Sequence, residues 1–414
     1  MTRLSTDVKV LRDLAASYAE IAAQPAQESK RELWASHNSL KPTRPPVLCT
    51  YGMWNVWCRE VFADERMECE DDFLRTYERG FRMQLLQNAV GDDSVLEPWV
   101  TVPAVKDLDW GRLWGFEHSW IPTEQPGGAM RIDPPIRDWS DLDKLQVPHH
   151  RIDEEATSAK VQKLGDAIGD IIEINVDRGP VCQGFMSDIS TDLAMLRGLD
   201  QLMVDMYDSP QQLHQLLAFM RDGTLTNQAE AEQAGDWSLT SQQNQQACYC
   251  EGLEAPAANS GPRKRNELWA FCAAQEFTLI SPRMHEEFML QYQVPIYEKF
   301  ALVAYGCCED LTAKIDMLRQ MPNLRQIGVA PRADVAKCAE QIGTDYVLSW
   351  RPNPTDMVCC GFDEGRIRRV IRAGLEAARG CRVHIHLKDI ECVEGDLSRL
   401  SRWVQLVRQE TERF

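Results

Sequence analysis

Apolar and polar positions change their period along the chain, and the changes mark its elements. Residues 1–40 read as polar, amphipathic helix, with Lys9, Arg12, Asp13 and Glu20 on the solvated side. Lys41-Pro42-Thr43-Arg44-Pro45-Pro46 ends that pattern, because proline lacks an amide hydrogen and pushes the residue before it towards extended backbone. Val47–Tyr51 is then a short apolar run of strand length, followed by the aromatic stretch Gly52-Met53-Trp54-Asn55-Val56-Trp57. Helical periodicity covers 70–89 and 153–168, with an extended run at 94–102 and a stretch rich in Pro, Gly and Trp between them. Strand-like runs at 171–176, 297–304, 324–329, 346–349 and 383–387 follow, each separated by helix-length segments.

Repeated strand-then-helix units predict a parallel α/β architecture, and this many units in one chain favour closure into a (β/α)8 TIM barrel. The expected organisation is a helical extension over 1–44 and a barrel over 45–414. Chemistry in such barrels gathers where strands end. The residues there are Tyr51 with Met53, Trp54 and Trp57, then Glu97, Asp177-Arg178, Gln242-Gln243-Asn244-Gln245, Cys307-Cys308-Glu309, Arg332, Trp350-Arg351 and Lys388-Asp389.

Charge narrows the partners. Lys and Arg total 45 against 63 Asp and Glu, a net charge of -18, which opposes binding to nucleic acid or to an anionic membrane. The one dense basic run, Arg263-Lys264-Arg265, reads as a solvated loop. Fourteen cysteines without a secretory signal point to the cytoplasm, where thiols stay reduced and serve as packing, metal ligands or nucleophiles. No apolar run approaches the length of about 18 residues needed to span a bilayer.

Three groups carry candidate chemistry. Cys307 and Cys308 beside Glu309 suit a thiolate or metal site, whereas Cys359-Cys360 lies in an apolar segment and reads as packing. Asp177-Arg178 is either a structural ion pair or a grip on a polar substrate; Asp389, next to Lys388, is placed as ligand or acid/base group. His384 and His386 share one face of their strand. Trp54, Trp57, Trp99 and Trp350 near strand ends suit a flat or cationic ligand, and equally suit packing.

The segment Gln275-Glu276-Phe277-Thr278-Leu279-Ile280-Ser281-Pro282 with Phe288, Tyr292, Pro295 and Ile296, followed by Ala304-Tyr305-Gly306-Cys307-Cys308-Glu309-Asp310-Leu311, resembles the uroporphyrinogen decarboxylase superfamily. That superfamily includes tetrapyrrole decarboxylases, corrinoid-linked methyltransferases and, more distantly, cobalamin-independent methionine synthase. The decarboxylase branch opens its barrel with a Met-Arg-Gln-Ala-Gly loop. Here Tyr51–Trp57 stands in that place with no arginine before Arg59, so the clamp for many carboxylates is missing. The methyltransferase branch binds zinc through His-x-Cys and a distal cysteine. In this chain Tyr305 replaces the histidine, Cys307 matches the cysteine, and Asp389 falls near the distal position.

The resemblance therefore implies a zinc-dependent methyltransferase. Its metal ligands would be Cys307, Cys308, Glu309 and Asp389, and its acid/base groups Glu309, Asp177 and Asp389. Substrate contacts would come from Tyr51, Met53, Trp54, Trp57, Glu97, Arg178, Gln243, Asn244, Tyr305, Arg332, Trp350, Arg351 and Lys388. The methyl group would move between a small methylated substrate or a corrinoid carrier and a thiol or cobalt acceptor. A corrinoid would arrive on a separate protein, since no Asp-x-His-x-x-Gly pattern is present; a homodimer fits the superfamily. Two alternatives remain open. One is a metal-free lyase with Asp177 or Glu309 as acid/base and Arg178, Arg332 or Arg351 on a carboxylate. The other is a corrinoid or tetrapyrrole carrier.

Overall fold

A computed structural model describes residues 5–51, 59–108, 110–122, 124 and 131–414. Met53, Trp54 and Trp57 lie outside the described residues. Among the described residues ten strands are formed: β1 (Val47–Tyr51), β2 (Trp99–Pro103), β3 (Ser119–Ile121), β4 (Arg131–Asp133), β5 (Glu173–Asp177), β6 (Trp269–Cys272), β7 (Leu302–Tyr305), β8 (Leu324–Val329), β9 (Val347–Trp350) and β10 (Arg382–Ile390). Six of them make one parallel sheet in the order β1-β10-β9-β8-β7-β6; β2 and β5 form a separate parallel pair, and β3 and β4 a small antiparallel hairpin.

Eight parallel strands with intervening helices give a barrel-like α/β fold, but the ring is not closed. Among the described residues β1 does not pair with β2, nor β5 with β6. Other groups satisfy the free edges. The amide of Leu96, just before β2, donates to the Gln27 side chain (2.9 Å), and the amide of Gln243 donates to the Trp269 carbonyl on β6 (3.0 Å). On β5, the amide of Val176 donates to the Asn259 side chain, whose own backbone amide donates to Asn175. Alternation of strand-like and helical runs cannot show such interposed segments, which is why a closed ring was the expectation.

Two helices precede β1. The first, α1 (Thr6–Ala22), is N-capped by Ser5, and buries Leu11, Ala15, Tyr18 and Ala22 at helical spacing. This stripe packs with Phe81, Leu96, Val102, Leu164 and Ile168 over the β2–β5 pair. Full burial of Leu11 alone contributes about 1.5–3 kcal/mol. The second, α2 (Pro25–Asn38), closes the floor of the arc. Its His37 meets His384 of β10 (3.1 Å), its Asn38 side chain donates to the carbonyls of Ala247 and Tyr249, and its Trp34 indole donates to the Asp93 carbonyl (2.8 Å).

The strand expected over 297–304 starts later, at Leu302. Residues Gln291–Tyr297 form a helix despite Pro295, and the Phe300 amide turns back on the Tyr297 carbonyl. No helix among the described residues is long and apolar enough to cross a membrane.

Candidate active site

β7 delivers Cys307, Cys308 and Glu309 to the C-terminal side of the arc through Gly306, whose φ of +105° is open to glycine. A Cβ there would fall 2.8 Å from Leu311 and 3.2 Å from the Gly328 amide nitrogen, so β7 and β8 approach closely at this point. Gly328 matters for the same reason: a Cβ on it would sit 3.2 Å from the guanidinium carbon of Arg351. The gap lets Arg351, just beyond β9, cross to the Cys307 carbonyl and donate to it.

Cys307 is buried and its sulfur is surrounded by donors. Gln245 Nε2 donates to Sγ at 3.3 Å, Lys388 Nζ lies at 3.6 Å, and the Cys308 sulfur at 3.5 Å. Cys308 is exposed. A hydrogen bond from Cys308, reinforced by the charges of Lys388 and Arg351, outweighs burial and holds Cys307 below the usual thiol range. The second proton of the pair is correspondingly hard to remove, since Cys308 would have to ionise beside an existing thiolate. The groups that favour ionisation, Gln245, Lys388 and Arg351, gather at Cys307.

Glu309 does not face this sulfur as a free carboxylate. It is fully buried, and its two oxygens accept from the backbone amides of Ala274 (2.9 Å) and Cys307 (2.7 Å), which fixes the turn. Asp389, with φ of +60°, pairs with Lys388 (2.7 Å). Two sulfurs 3.5 Å apart are near the separation of about 3.8 Å that two thiolates take on one tetrahedral zinc. A third ligand is not in place: Glu309 accepts from two amides, Asp389 turns one oxygen to Lys388 while its buried Oδ1 has no hydrogen-bond partner, and the ammonium already sits beside Cys307. Among the described residues no three His, Cys, Asp or Glu side chains form a group able to hold a metal. As arranged, the set does not fit zinc.

Further candidates fall elsewhere. Tyr305 points away from Cys307 into the helical layer, where its hydroxyl meets Gln293 Oε1 and His285 (both 3.1 Å). Trp350 also faces outward, packed so closely on Gly374 that no Cβ fits there. Arg178 is bound to Asp236 (2.5 Å) and Glu154 (2.6 Å), while Asp177 accepts from the Gly179 amide and the Ser241 hydroxyl. Arg332 is exposed in the loop after β8. Tyr51 and Glu97 line a cavity beside β1, and Glu97 pairs with Arg31 (3.0 Å). Asn244 accepts from Gln326, and Gln243 pairs along β6.

Residues 244–250 run along the inside of the arc from the thiolate to its floor, a path that the amide-rich sequence hints at without locating. Gln245 touches Cys307; Gln246 bonds both Gln326 and His386; the carbonyls of Ala247 and Tyr249 reach α2. His384 lies between His37 and Ser349, and His386 between Gln246 and Thr50. Burial pushes the basicity of both imidazoles well below the usual range, helped at His386 by Arg351 and Lys388. They are neutral hydrogen-bonding elements of the interior.

No family model matches the sequence, and no curated protein matches it. Among solved structures, the chain is similar to a methyltransferase from Methanosarcina mazei. The TM-score is 0.51 at 14% identity, over 92% of this chain and 98% of that chain. The likeness shows the fold. At this identity it assigns no residue a role.

Proposed function

We propose that the chain is a methyltransferase in which the Cys307 thiolate is the reacting group, moving a methyl group between a small methylated substrate or a corrinoid carrier on another protein and a thiol or cobalt acceptor. The observation that carries this is a buried sulfur at the strand ends of a barrel-like fold, with Gln245 Nε2 at 3.3 Å, Cys308 Sγ at 3.5 Å and Lys388 Nζ at 3.6 Å, neighbours that lower the Cys307 thiol below its usual range. The fold of the Methanosarcina mazei methyltransferase supports it.

In the first half, Sγ attacks the methyl carbon; the S–C bond forms, the bond from carbon to the donor atom breaks, and its electron pair leaves with the donor. The Lys388 ammonium and the Cys308 thiol are the nearest proton sources for that group. In the second half a stronger nucleophile takes the methyl carbon and the S–C pair returns to Cys307. The same cations stabilise the thiolate as it leaves.

Zinc on Cys307, Cys308, Glu309 and Asp389 is the second reading, favoured by the spacing of the two sulfurs and opposed by the placement of Lys388 and Glu309. Peptide mass mapping after incubation with methylcobalamin, alongside elemental analysis of protein purified without chelator, tests both. A methyl group on Cys307 is the expected result. Stoichiometric metal lost in Cys307→Ala and Asp389→Ala would put zinc first. Decarboxylation of a carboxylated small molecule without any methyl transfer would overturn both in favour of a lyase.

A further inference from the structure

Cys307 and Cys308 are neighbours in sequence, yet their sulfurs lie 3.5 Å apart. In an extended strand adjacent side chains point to opposite faces. The turn that Gly306 opens with its φ of +105°, and that Glu309 holds through two amides, removes this constraint. Cys308 is exposed, so an atom reaching its sulfur meets Cys307 next without opening the arc. The chain's other adjacent pair, Cys359-Cys360, is arranged otherwise: the Cys359 thiol donates to the Cys392 carbonyl (2.8 Å).

What two sulfurs can hold is set by their spacing. Disulfides need Cα atoms at least about 4.4 Å apart, and neighbours across a trans peptide lie about 3.8 Å apart, so a bond between these two would be strained. A tetrahedral metal asks for more ligands, and among the described residues no third His, Cys, Asp or Glu joins the pair. Monovalent copper held by two sulfurs alone sets them on opposite sides, farther apart than 3.5 Å. Trivalent arsenic differs on each count. It is a pyramid with a lone pair, is satisfied by two sulfurs and one oxygen or carbon, and has bond angles near a right angle. With bonds to sulfur of about 2.3 Å, as for zinc, that geometry places the sulfurs about 3.4 Å apart.

We propose that Cys307 and Cys308 form a binding site for trivalent arsenicals, arsenite or its monomethyl derivative, with one arsenic bridging both sulfurs. Arsenite is uncharged at neutral pH, so the net charge of -18 does not repel it. Two As–S bonds form and two As–O bonds break; each departing hydroxyl takes a proton, from the thiol or from solvent, and leaves as water, and nothing is oxidised or reduced. The remaining hydroxyl of arsenite would accept from the Lys388 ammonium, which lies 3.6 Å from Cys307 Sγ. The binding occupies both sulfurs of the proposed reacting centre but does not depend on the methyl-transfer reading.

One equivalent of arsenite added to the reduced whole protein should add one arsenic per chain by intact mass. In the unaltered protein it should shield Cys307 and Cys308 together from iodoacetamide and leave the exposed Cys360 open to labelling. Arsenic X-ray absorption should show two sulfurs and one oxygen. Cys307→Ser and Cys308→Ser should each weaken binding by roughly a hundredfold or more, the loss expected when one of two linked contacts is removed. Cys359→Ser combined with Cys360→Ser should leave it unchanged. Arsenic that stays in either single variant, settles on Cys359 and Cys360, takes three sulfurs, or fails to bind the reduced protein would overturn the proposal. These readouts follow arsenic alone, so such a failure stands apart from a failure of methyl transfer at Cys307.

Discussion

At the end of β5, Asp177 and Arg178 lie among Glu154, Asp236, Gly179 and Ser241, and both are held by those neighbours, Arg178 by the two carboxylates and Asp177 by an amide and a hydroxyl. At the ends of β7, β9 and β10, Cys307, Arg351 and Lys388 instead turn to one point, and the group they surround is a thiol lowered below its usual range. Both places are strand ends of the same barrel-like fold and both carry ionisable residues. The difference is made by the third partner. The pair β2–β5 is flanked by a helix beginning with Glu154 and a turn containing Asp236, which consume Arg178; the arc has Asp389 as the only carboxylate paired with Lys388 among the described residues. A charged residue at a strand end is thus available for chemistry only where its neighbours leave it so.

The sharpest way to break this contrast is to remove one group from each place. Cys307→Ala should lower methyl transfer by roughly a thousandfold or more, as expected for loss of a nucleophile. Asp177→Asn should leave it near wild type while lowering thermal stability. Steady-state rates and thermal midpoints of both variants decide the matter, and comparable loss of activity from Asp177→Asn would erase the distinction.

The barrel-like architecture was legible because strand-like runs recur between helices, and 47–51 and 324–329 match β1 and β8. The Cys307 turn was legible as well, since adjacent cysteines before a glutamate are chemically distinctive. Direction was not. Tyr305 sits two residues before Cys307 yet faces the helices, because Ala304 takes the inward position at the end of β7, beside Cys307 and Phe271. Glu309 looked like a base or ligand, but its oxygens hold the backbone amides of Cys307 and of Ala274, the latter 35 residues away in sequence. Gln245 and the floor formed by α2 depend on contacts across more than 60 and 200 residues respectively, beyond any local pattern.

A smaller effect sharpens the contrast at the thiolate itself. The deprotonated fraction of Cys307 rises with pH through a midpoint held below the ordinary thiol range, so alkylation by iodoacetamide should already be fast at neutral pH. Lys388→Met removes the nearest cation and should raise that midpoint by about one to three pH units. Arg178→Met removes a cation from the other strand end and should not move it. If both variants give the wild-type profile, Lys388 is not what holds the thiolate.

The least effect concerns the floor of the arc and appears as stability. His37 and His384 face each other there without a carboxylate, and burial first, then the nearby Arg382, lowers His37 to about 3 from a usual value of 6.5. By contrast, His150 on the side of the β2–β5 pair lies 2.8 Å from Asp236. A histidine whose folded value is depressed binds its proton in the unfolded chain first. Its contribution is intact above pH 6.5 and is lost as pH falls towards 3. Each such imidazole steepens the acid loss by up to about 1.4 kcal/mol per pH unit in that window. His37→Asn should lower stability at neutral pH by removing the contact to His384, yet flatten the slope between pH 6 and 4 by roughly that amount, read from urea midpoints. An unchanged slope would mean that His37 is already protonated in the folded protein, and that the floor of the arc tolerates charge as the β2–β5 side does.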